Sequence, residues 1–319
     1  MTFNVAILGA TGLVGQRLQQ LLENHPLFSV KAISGSAKNI GKHHSEIEWR
    51  LDTERPIYNL IITAIHEIGD VDIAFSALPS NIAKQVELDL VGKGINVFSN
   101  SSAHRLTSGV PLVIPEINPE DFEIFNGHAC ATNCTVVPVA MGLSGLKQFG
   151  IEEVEISTQQ ALSGAGWRLL FDEKALSGEV DSFIEGEEEK LCSELKHLLG
   201  IDIPVKATCN RVAQKDGHLV FVKAKFRDKI TLKQIKKEMS IANLNLPSSP
   251  TKLIKIIDEC PSREKDLWAG AGMTTTIGEI SISENVVSFS ALSHNTVRGA
   301  AGGLILLAEF AAQKAYITK

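Results

Sequence analysis

The sequence predicts an α/β protein in two parts, a doubly wound parallel-sheet domain followed by an α+β domain. Three observations carry that reading. The apolar run from Phe3 to Leu8 ends in a glycine turn and continues as a helix-like stretch. Strand-like and helix-like runs then alternate up to about residue 130, a pattern of βα units that builds a parallel sheet with its ligand at the strand C-terminal ends. Beyond that point the strands lengthen, side chains alternate with a two-residue period, and no further glycine turn follows a strand. A chain of 319 residues also exceeds what one hydrophobic core ordinarily supports.

The first unit reads strand, glycine turn, helix: Phe3 to Leu8, then Gly-Ala-Thr-Gly-Leu-Val-Gly, then Gln16 onward. Gly9 permits the tight turn, Gly12 lets backbone approach a pyrophosphate, and Gly15 lets the helix pack closely on the strand, as in Rossmann-like dinucleotide sites. Ala10, Thr11, Leu13 and Val14 complete the loop. The spacing is G-x-x-G-x-x-G, and a glycine triplet acquires meaning only from its place between strand and helix.

The second strand, near Phe28 to Ile33, leads into Ser-Gly-Ser-Ala-Lys-Asn-Ile-Gly-Lys, where an NAD site would show Asp or Glu for the ribose hydroxyl. Ser34, Ser36 and Lys38 or Lys42 favour a 2′-phosphate instead, and so NADP; a solvated loop is the plain alternative. Val71 to Leu78 and Ile95 to Ser99 read as further strands with polar ends at Pro79-Ser80 and Asn100-Ser101-Ser102.

Near residue 131 the run Ala-Thr-Asn-Cys-Thr-Val-Val-Pro places Cys134 after a polar turn, at the start of a helix expected to reach about Phe149. A lone cysteine is ordinarily a small buried hydrophobe. At a helix N-terminus, however, unpaired N–H groups and the dipole favour thiolate, which predicts a lowered thiol pKa and a candidate nucleophile. Pro138 suits the first turn.

Val154, Ile156, Thr158 and Gln160 share a strand face, so Gln160 is expected on the buried side, where its amide needs partners. Ser163-Gly164-Ala165-Gly166 reads as a flexible turn offering N–H groups to a cofactor. His218 opens the next apolar strand, and the Lys215-Asp216-Gly217 turn is expected to bring it to the same sheet end as Arg211. Glu187 and Lys190, i and i+3, share one side of a helix whose Leu191, Leu195 and Leu198 face a core. Thr231 and Gln234 read as a capping box on a surface helix. Val297 to Ile317 predicts a covered helix returning to the first domain, with Asn295 at the junction.

Composition excludes several classes of function. The net charge of −6 argues against nucleic acid or an anionic membrane as partner, which leaves a small molecule. Five cysteines without framework spacing point to a reducing, cytoplasmic setting. No signal peptide or apolar run of spanning length is visible, and no Cys/His grouping has metal-site spacing, so no metal is expected.

These stretches together resemble aspartate-semialdehyde dehydrogenases of the archaeal and fungal form. The resemblance spans nearly the whole chain through ordered motifs: GATGLVG at 9 to 15, SNSSAHR at 99 to 105, PLVIPEINP at 111 to 119, TNC at 132 to 134, QALSGAG at 160 to 166, EGEEEK at 185 to 190, CNRV at 209 to 212, DGH at 216 to 218 and HNTVRGAAGG at 294 to 303. It implies NADPH-dependent reduction of L-aspartyl-4-phosphate to aspartate semialdehyde, serving lysine, threonine, methionine and isoleucine synthesis. Cys134 would be the nucleophile, His218 the acid/base, and Gln160 the residue orienting the acyl group. Arg211 and Glu187 would hold the substrate's carboxylate and amino group. Arg105, Asn133 and Lys190 match phosphate-binding positions, and Gly9 to Val14, Ser163, Gly164 and Asn295 match cofactor positions.

The implied organisation is an NADP-binding domain at 1–130, with the 295–319 helix packed back on it, and a catalytic and dimerisation domain at 131–294. A homodimer or homotetramer follows. Ala-Thr-Asn-Cys stands where the family usually has Asn-Pro-Asn-Cys, and Arg-Val-Ala-Gln where it has Arg-Val-Pro-Val; neither removes a reacting group. Malonyl-CoA reductases look similar at the glycine loop, nucleophile, Arg/His stretch and C-terminal helix. They and a non-catalytic NADP-binding sensor are the alternatives, and the EEEK stretch favours the amino-acid substrate.

Overall fold

The computed structural model describes residues 2–319 and contains two six-stranded sheets. The first is wholly parallel. Its strands are β1 (Phe3–Leu8), β2 (Phe28–Ser34), β3 (Ile62–Thr63), β4 (Ile73–Ser76), β5 (Asn96–Ser99) and β6 (His128–Cys130), in the order β3-β2-β1-β4-β5-β6. Strand order reverses between β1 and β4, which is where an open α/β sheet leaves a crevice for a ligand. The Gly9–Gly15 turn leaves β1 at that crevice.

Both faces of this sheet are covered, as a parallel sheet requires. Ala6, Leu8, Ala74 and Val97 pack under Leu90 and Ile95 on one face. On the other, Ile7, Phe75 and Phe98 meet Leu304, Ile305, Leu307 and Phe310 of the Gly302–Gln313 helix, so the C-terminal helix does return to the first sheet. It differs from the expected 297–317 helix at both ends. Val297–Ala301 forms a π-turn, and the helix stops at Gln313 before Ala315 takes φ of +58°.

The second sheet is mixed. Its strands are β7 (Ile151–Gln160), β8 (Val205–Arg211), β9 (His218–Phe226), β10 (Ile254–Ile256), β11 (Thr275–Ser283) and β12 (Val286–Ser293), ordered β10-β11-β12-β9-β7-β8. The inner face, including Val154, Ile156, Val220, Val222 and Phe289, packs on the Val136–Leu143 and Glu187–Leu199 helices through Val139, Met141, Leu191 and Leu195. The opposite face is open and holds a groove of about 560 Å³ lined by Glu155, Phe221, Lys223 and Ser288 among others. The Thr231 capping box forms as expected.

The helix predicted from Cys134 to Phe149 is shorter. Its α-helical part is Val136–Leu143, followed by a 3₁₀ stretch, Ser144–Phe149. Asn133 sets the start, because its side-chain oxygen accepts the Thr135 N–H at 2.8 Å and its carbonyl accepts the Val136 N–H at 3.0 Å. Cys134 therefore sits in the turn before the helix.

Arg298 and Glu116 form a charge pair at 2.9 Å with side chains 2% and 0% exposed. Neither carboxylate oxygen makes an aligned hydrogen bond, so charge carries the contact. Replacing Arg298 by Met should strand the Glu116 carboxylate and cost about 3–5 kcal/mol of stability, read from the urea midpoint. A loss under about 1 kcal/mol would mean that water reaches the pair.

Candidate active site

A cavity of about 350 Å³ lies between the two sheets. Val14 and Ser101 reach it from the first; Cys134, Gln160, Gly164, Glu187, Lys190, Arg211, His218 and Asn295 reach it from the second and its helices. Residues far apart in sequence, from the glycine loop to the start of the C-terminal helix, thus meet in one space. The 560 Å³ groove is larger but holds none of these groups, so size is a poor guide to the chemistry here.

The turn that carries Cys134 is held by two buried carboxylates seven residues apart on the Glu187–Leu199 helix. Glu187 Oε1 accepts from Asn133 Nδ2 at 3.0 Å, Gln160 Nε2 at 3.1 Å and the Thr135 hydroxyl at 3.2 Å. Glu194 accepts the Asn133 N–H at 2.7 Å, the Thr132 hydroxyl at 2.8 Å and Arg105 Nη1 at 3.1 Å. Glu194 was not anticipated from sequence, although it lies two turns beyond Glu187 on the same helix face. Arg105 also donates to the Asn100 carbonyl at 2.8 Å, so its guanidinium is buried and partly committed, whereas Lys190 stands exposed at the rim.

His218 is fully buried at the start of β9. Its Nδ1 accepts the Ala161 N–H at 3.1 Å, which puts the ring proton on Nε2, and Nε2 has no partner. Burial, with Arg211 and Arg263 nearby, pushes its pKa down to about 3, so the neutral ring stands as a hydrogen-bond donor. Arg211 Nη1 donates to the Ala161 carbonyl at 3.0 Å. A Cβ on Gly164 would lie 2.9 Å from Arg211 Nη1 and 3.2 Å from the His218 ring, so only glycine lets the two stand side by side. Ser163 and Gly164 form a 3₁₀ turn rather than a flexible loop, and Asn295 ties it down through Nδ2 to Ser163 Oγ at 2.8 Å while accepting the Gly217 N–H at 2.8 Å.

Cys134 corrects a sequence expectation. Its thiol is not lowered but pushed up to about 12, because burial and the Glu187 carboxylate outweigh the pull of Arg105 and Arg211. Cys134 itself lies one residue before the Thr135 N-cap of the helix. The Cys134 Cβ is close-packed, since a Cβ on Gly299 of the π-turn would come within 2.6 Å of it.

The glycine loop fits a dinucleotide. Gly9 has φ of +76°, a Cβ there would lie 2.8 Å from the Ala77 carbonyl, and one on Gly15 would lie 2.1 Å from the Gly9 carbonyl, so the Gly9–Gly15 backbone packs without side chains as a phosphate cradle does. After β2, Ser36 and Lys38 are exposed. Ser34 is a correction: it is completely buried at the strand end, with a hydroxyl that cannot reach a phosphate in solvent. Leu13 also turns away from the cavity, packing on Leu162 and Leu170. Among the described residues no group of His, Cys, Asp and Glu could hold a metal ion, and no helix is long and apolar enough to cross a membrane.

Two family models match the chain: the NAD-binding domain of semialdehyde dehydrogenases over residues 4–124 and their dimerisation domain over 143–298. An aspartate-semialdehyde dehydrogenase of Archaeoglobus fulgidus is 38% identical, covering 97% of this chain and 98% of its own. A malonyl-CoA reductase (NADP) of Metallosphaera sedula is 32% identical over 100% of this chain and 99% of its own. The crystal structure of aspartate-semialdehyde dehydrogenase with NADP from Candida albicans superposes with a TM-score of 0.86 at 28% identity, covering 99% of this chain and 100% of that one.

The thiol predicts a pH dependence. Thiolate is the reactive form, and a raised pKa keeps it scarce at neutral pH. Iodoacetamide labelling of the Cys134 peptide in the ligand-free protein should therefore rise about tenfold per pH unit from 7 to 9. A rate already flat across that range would place the thiol pKa below it.

Proposed function

The chain belongs to the semialdehyde dehydrogenase family, and from that membership we propose an NADP-dependent aspartate-semialdehyde dehydrogenase that reduces L-aspartyl-4-phosphate to L-aspartate 4-semialdehyde and releases phosphate. One observation carries the choice of substrate. Cys134 shares its cavity with a guanidinium, Arg211, and a carboxylate, Glu187, which suit the two charged ends of an amino acid, and with Lys190 at the rim for a phosphate.

Substrate binding itself activates the nucleophile. Burial first and the Glu187 carboxylate second hold the Cys134 thiol up; the substrate ammonium at Glu187 offsets the second, so that Arg105 and Arg211 weigh more heavily toward thiolate. Cys134 Sγ attacks the acyl carbon; the C–S bond forms, the bond from carbon to the phosphate oxygen breaks, and phosphate departs toward Lys190, taking up the proton that the thiol gives up. Gln160, held by Glu187, orients the acyl group. NADPH supplies the hydride that reduces the thioester carbonyl. His218 Nε2–H donates to the resulting oxyanion, which collapses to the aldehyde as the C–S bond breaks and Cys134 is restored. The Ala161 N–H on Nδ1 keeps the His218 proton on the side where that oxyanion forms. Gly9 to Gly12, Val14, Gly15, Ser36, Ser163, Gly164 and Asn295 are assigned to the cofactor, and Asn133 and Arg105 to the phosphate side.

Residues 1–130 with the returning 295–319 segment form the cofactor domain in this reading, and 131–294 the catalytic and dimerisation domain. The match to a dimerisation domain and the open face of the second sheet support a homodimer or a homotetramer. Five unpaired cysteines suit a cytoplasmic enzyme. The similarity to a malonyl-CoA reductase supports acyl-CoA reduction as a second reading.

Purified protein should reduce NADP in the presence of L-aspartate semialdehyde only when inorganic phosphate is added, and Cys134→Ser should lose at least about 100-fold of that rate. Turnover with coenzyme A and not phosphate would give the acyl-CoA reading. NADP binding without any turnover would leave a sensor.

A further inference from the structure

A second cavity, of about 400 Å³, lies outside the site described above, between the Leu13–Leu22 helix, the loop at residues 50–53, Trp167 to Phe171 and the turn at Lys215 and Asp216. Its volume is in the range of small-molecule sites. Arg17, 4% exposed, lines it with an Nε that has no partner. The guanidinium lies 5.3 Å from the Trp268 ring centroid, and its one side-chain hydrogen bond runs to Gln20 Oε1 at 2.6 Å. Across the cavity, Asp216 presents a buried Oδ1 that is also without a partner, and Asp52 stands exposed at the mouth.

These opposite charges face one space, yet none of the ion pairs among the described residues joins Arg17 to Asp216 or Asp52. Burial holds Arg17 below and Asp216 above its ordinary pKa, as expected of charges lacking a direct counter-charge. Leaving the buried Arg17 without a counter-charge is costly, and Asp216, half-buried and hydrogen-bonded to Ser163, keeps a free Oδ1. A ligand bearing a carboxylate and an ammonium on one carbon satisfies both at once, whereas a simple anion or cation satisfies one. The rest of the lining combines an apolar stretch, Leu13, Leu51, Leu170 and Trp268, with Gln20, Thr53 and the cations Arg50 and Lys215.

We propose that this cavity binds a free α-amino acid with an apolar side chain, its carboxylate on Arg17, its ammonium between Asp216 and Asp52, and its side chain along Trp268 and the leucines. The site would bear on catalysis, because the Asp216 turn leads directly into His218. Leu162 N–H donates to the Gln214 carbonyl at 2.8 Å, Ser163 N–H to the Lys215 carbonyl at 3.0 Å, and Gly217 N–H to Asn295. Binding there is independent of the reaction assigned to Cys134.

Isothermal titration of the purified full-length protein with L-leucine, L-phenylalanine and L-tryptophan tests the site, with 3-phenylpropionate and phenethylamine as controls that each lack one charge. At least one amino acid should bind saturably, with affinity at least about tenfold above the controls and at least about tenfold above its own affinity for Arg17→Gln and Asp52→Asn. Asp52 is exposed, so its variant keeps the test sound should Arg17→Gln fail to fold. Arg211→Gln, altered in the catalytic cavity, should bind the ligand as the parent does. The proposal is overturned if none of the three amino acids binds, if a singly charged control binds equally well, if Asp52→Asn leaves affinity unchanged, or if Arg211→Gln abolishes binding.

Discussion

Two carboxylates held away from water on one helix set the position of nearly everything else in the site. A buried carboxylate is costly unless charge or hydrogen bonds compensate it, and Glu187 and Glu194 draw their hydrogen bonds from the same short turn. Between them they take the Thr132 hydroxyl, the Asn133 N–H and side-chain amide, and the Thr135 hydroxyl, which bracket Cys134. Each also recruits a group from elsewhere, Gln160 from β7 and Arg105 from the loop after β5. Cys134 is thus fixed chiefly by its neighbours' hydrogen bonds, with Thr135 also bonded to its sulfur.

The same arrangement explains the electrostatic state of the ligand-free site. Glu187 is close enough to hold the thiol proton on, and His218, buried among cations, carries no charge. A cysteine kept as thiol is protected from adventitious oxidation, since thiolate is the form that reacts. In the proposed reaction an amino-acid substrate would bring a positive charge to Glu187, which would link reactivity and recognition through one carboxylate. Glycine supplies the remaining condition: Gly164 makes room for Arg211 beside His218, and Gly299 makes room for Cys134 beside the π-turn.

Much of this was legible in the sequence wherever a local pattern dictates a local structure. The Phe3 to Gly15 strand and turn, the Thr231 capping box, the inward face of β7 ending at Gln160, and the Arg211 and His218 approach across a tight turn all follow from periodicity and turn chemistry. What failed were properties set by tertiary surroundings. Ser34 follows the strand period correctly yet ends under the sheet's cover, and the Cys134 thiol was judged from a helix end while burial and Glu187 decide it. Glu194 goes unmarked in the sequence, because nothing local points to the two strand-end loops that converge on it. The π-turn at Val297 likewise packs against Cys134, from about half the chain length away.

The central claim is that the Cys134 sulfur carries the acyl group between phosphate release and reduction. Mass spectrometry of the protein quenched after mixing with L-aspartyl-4-phosphate in the absence of NADPH tests it directly. An aspartyl thioester on the peptide containing Cys134, discharged when NADPH is added before quenching, is the predicted result. Reduction of the substrate with no adduct on that peptide, or with the adduct on another cysteine, would contradict it.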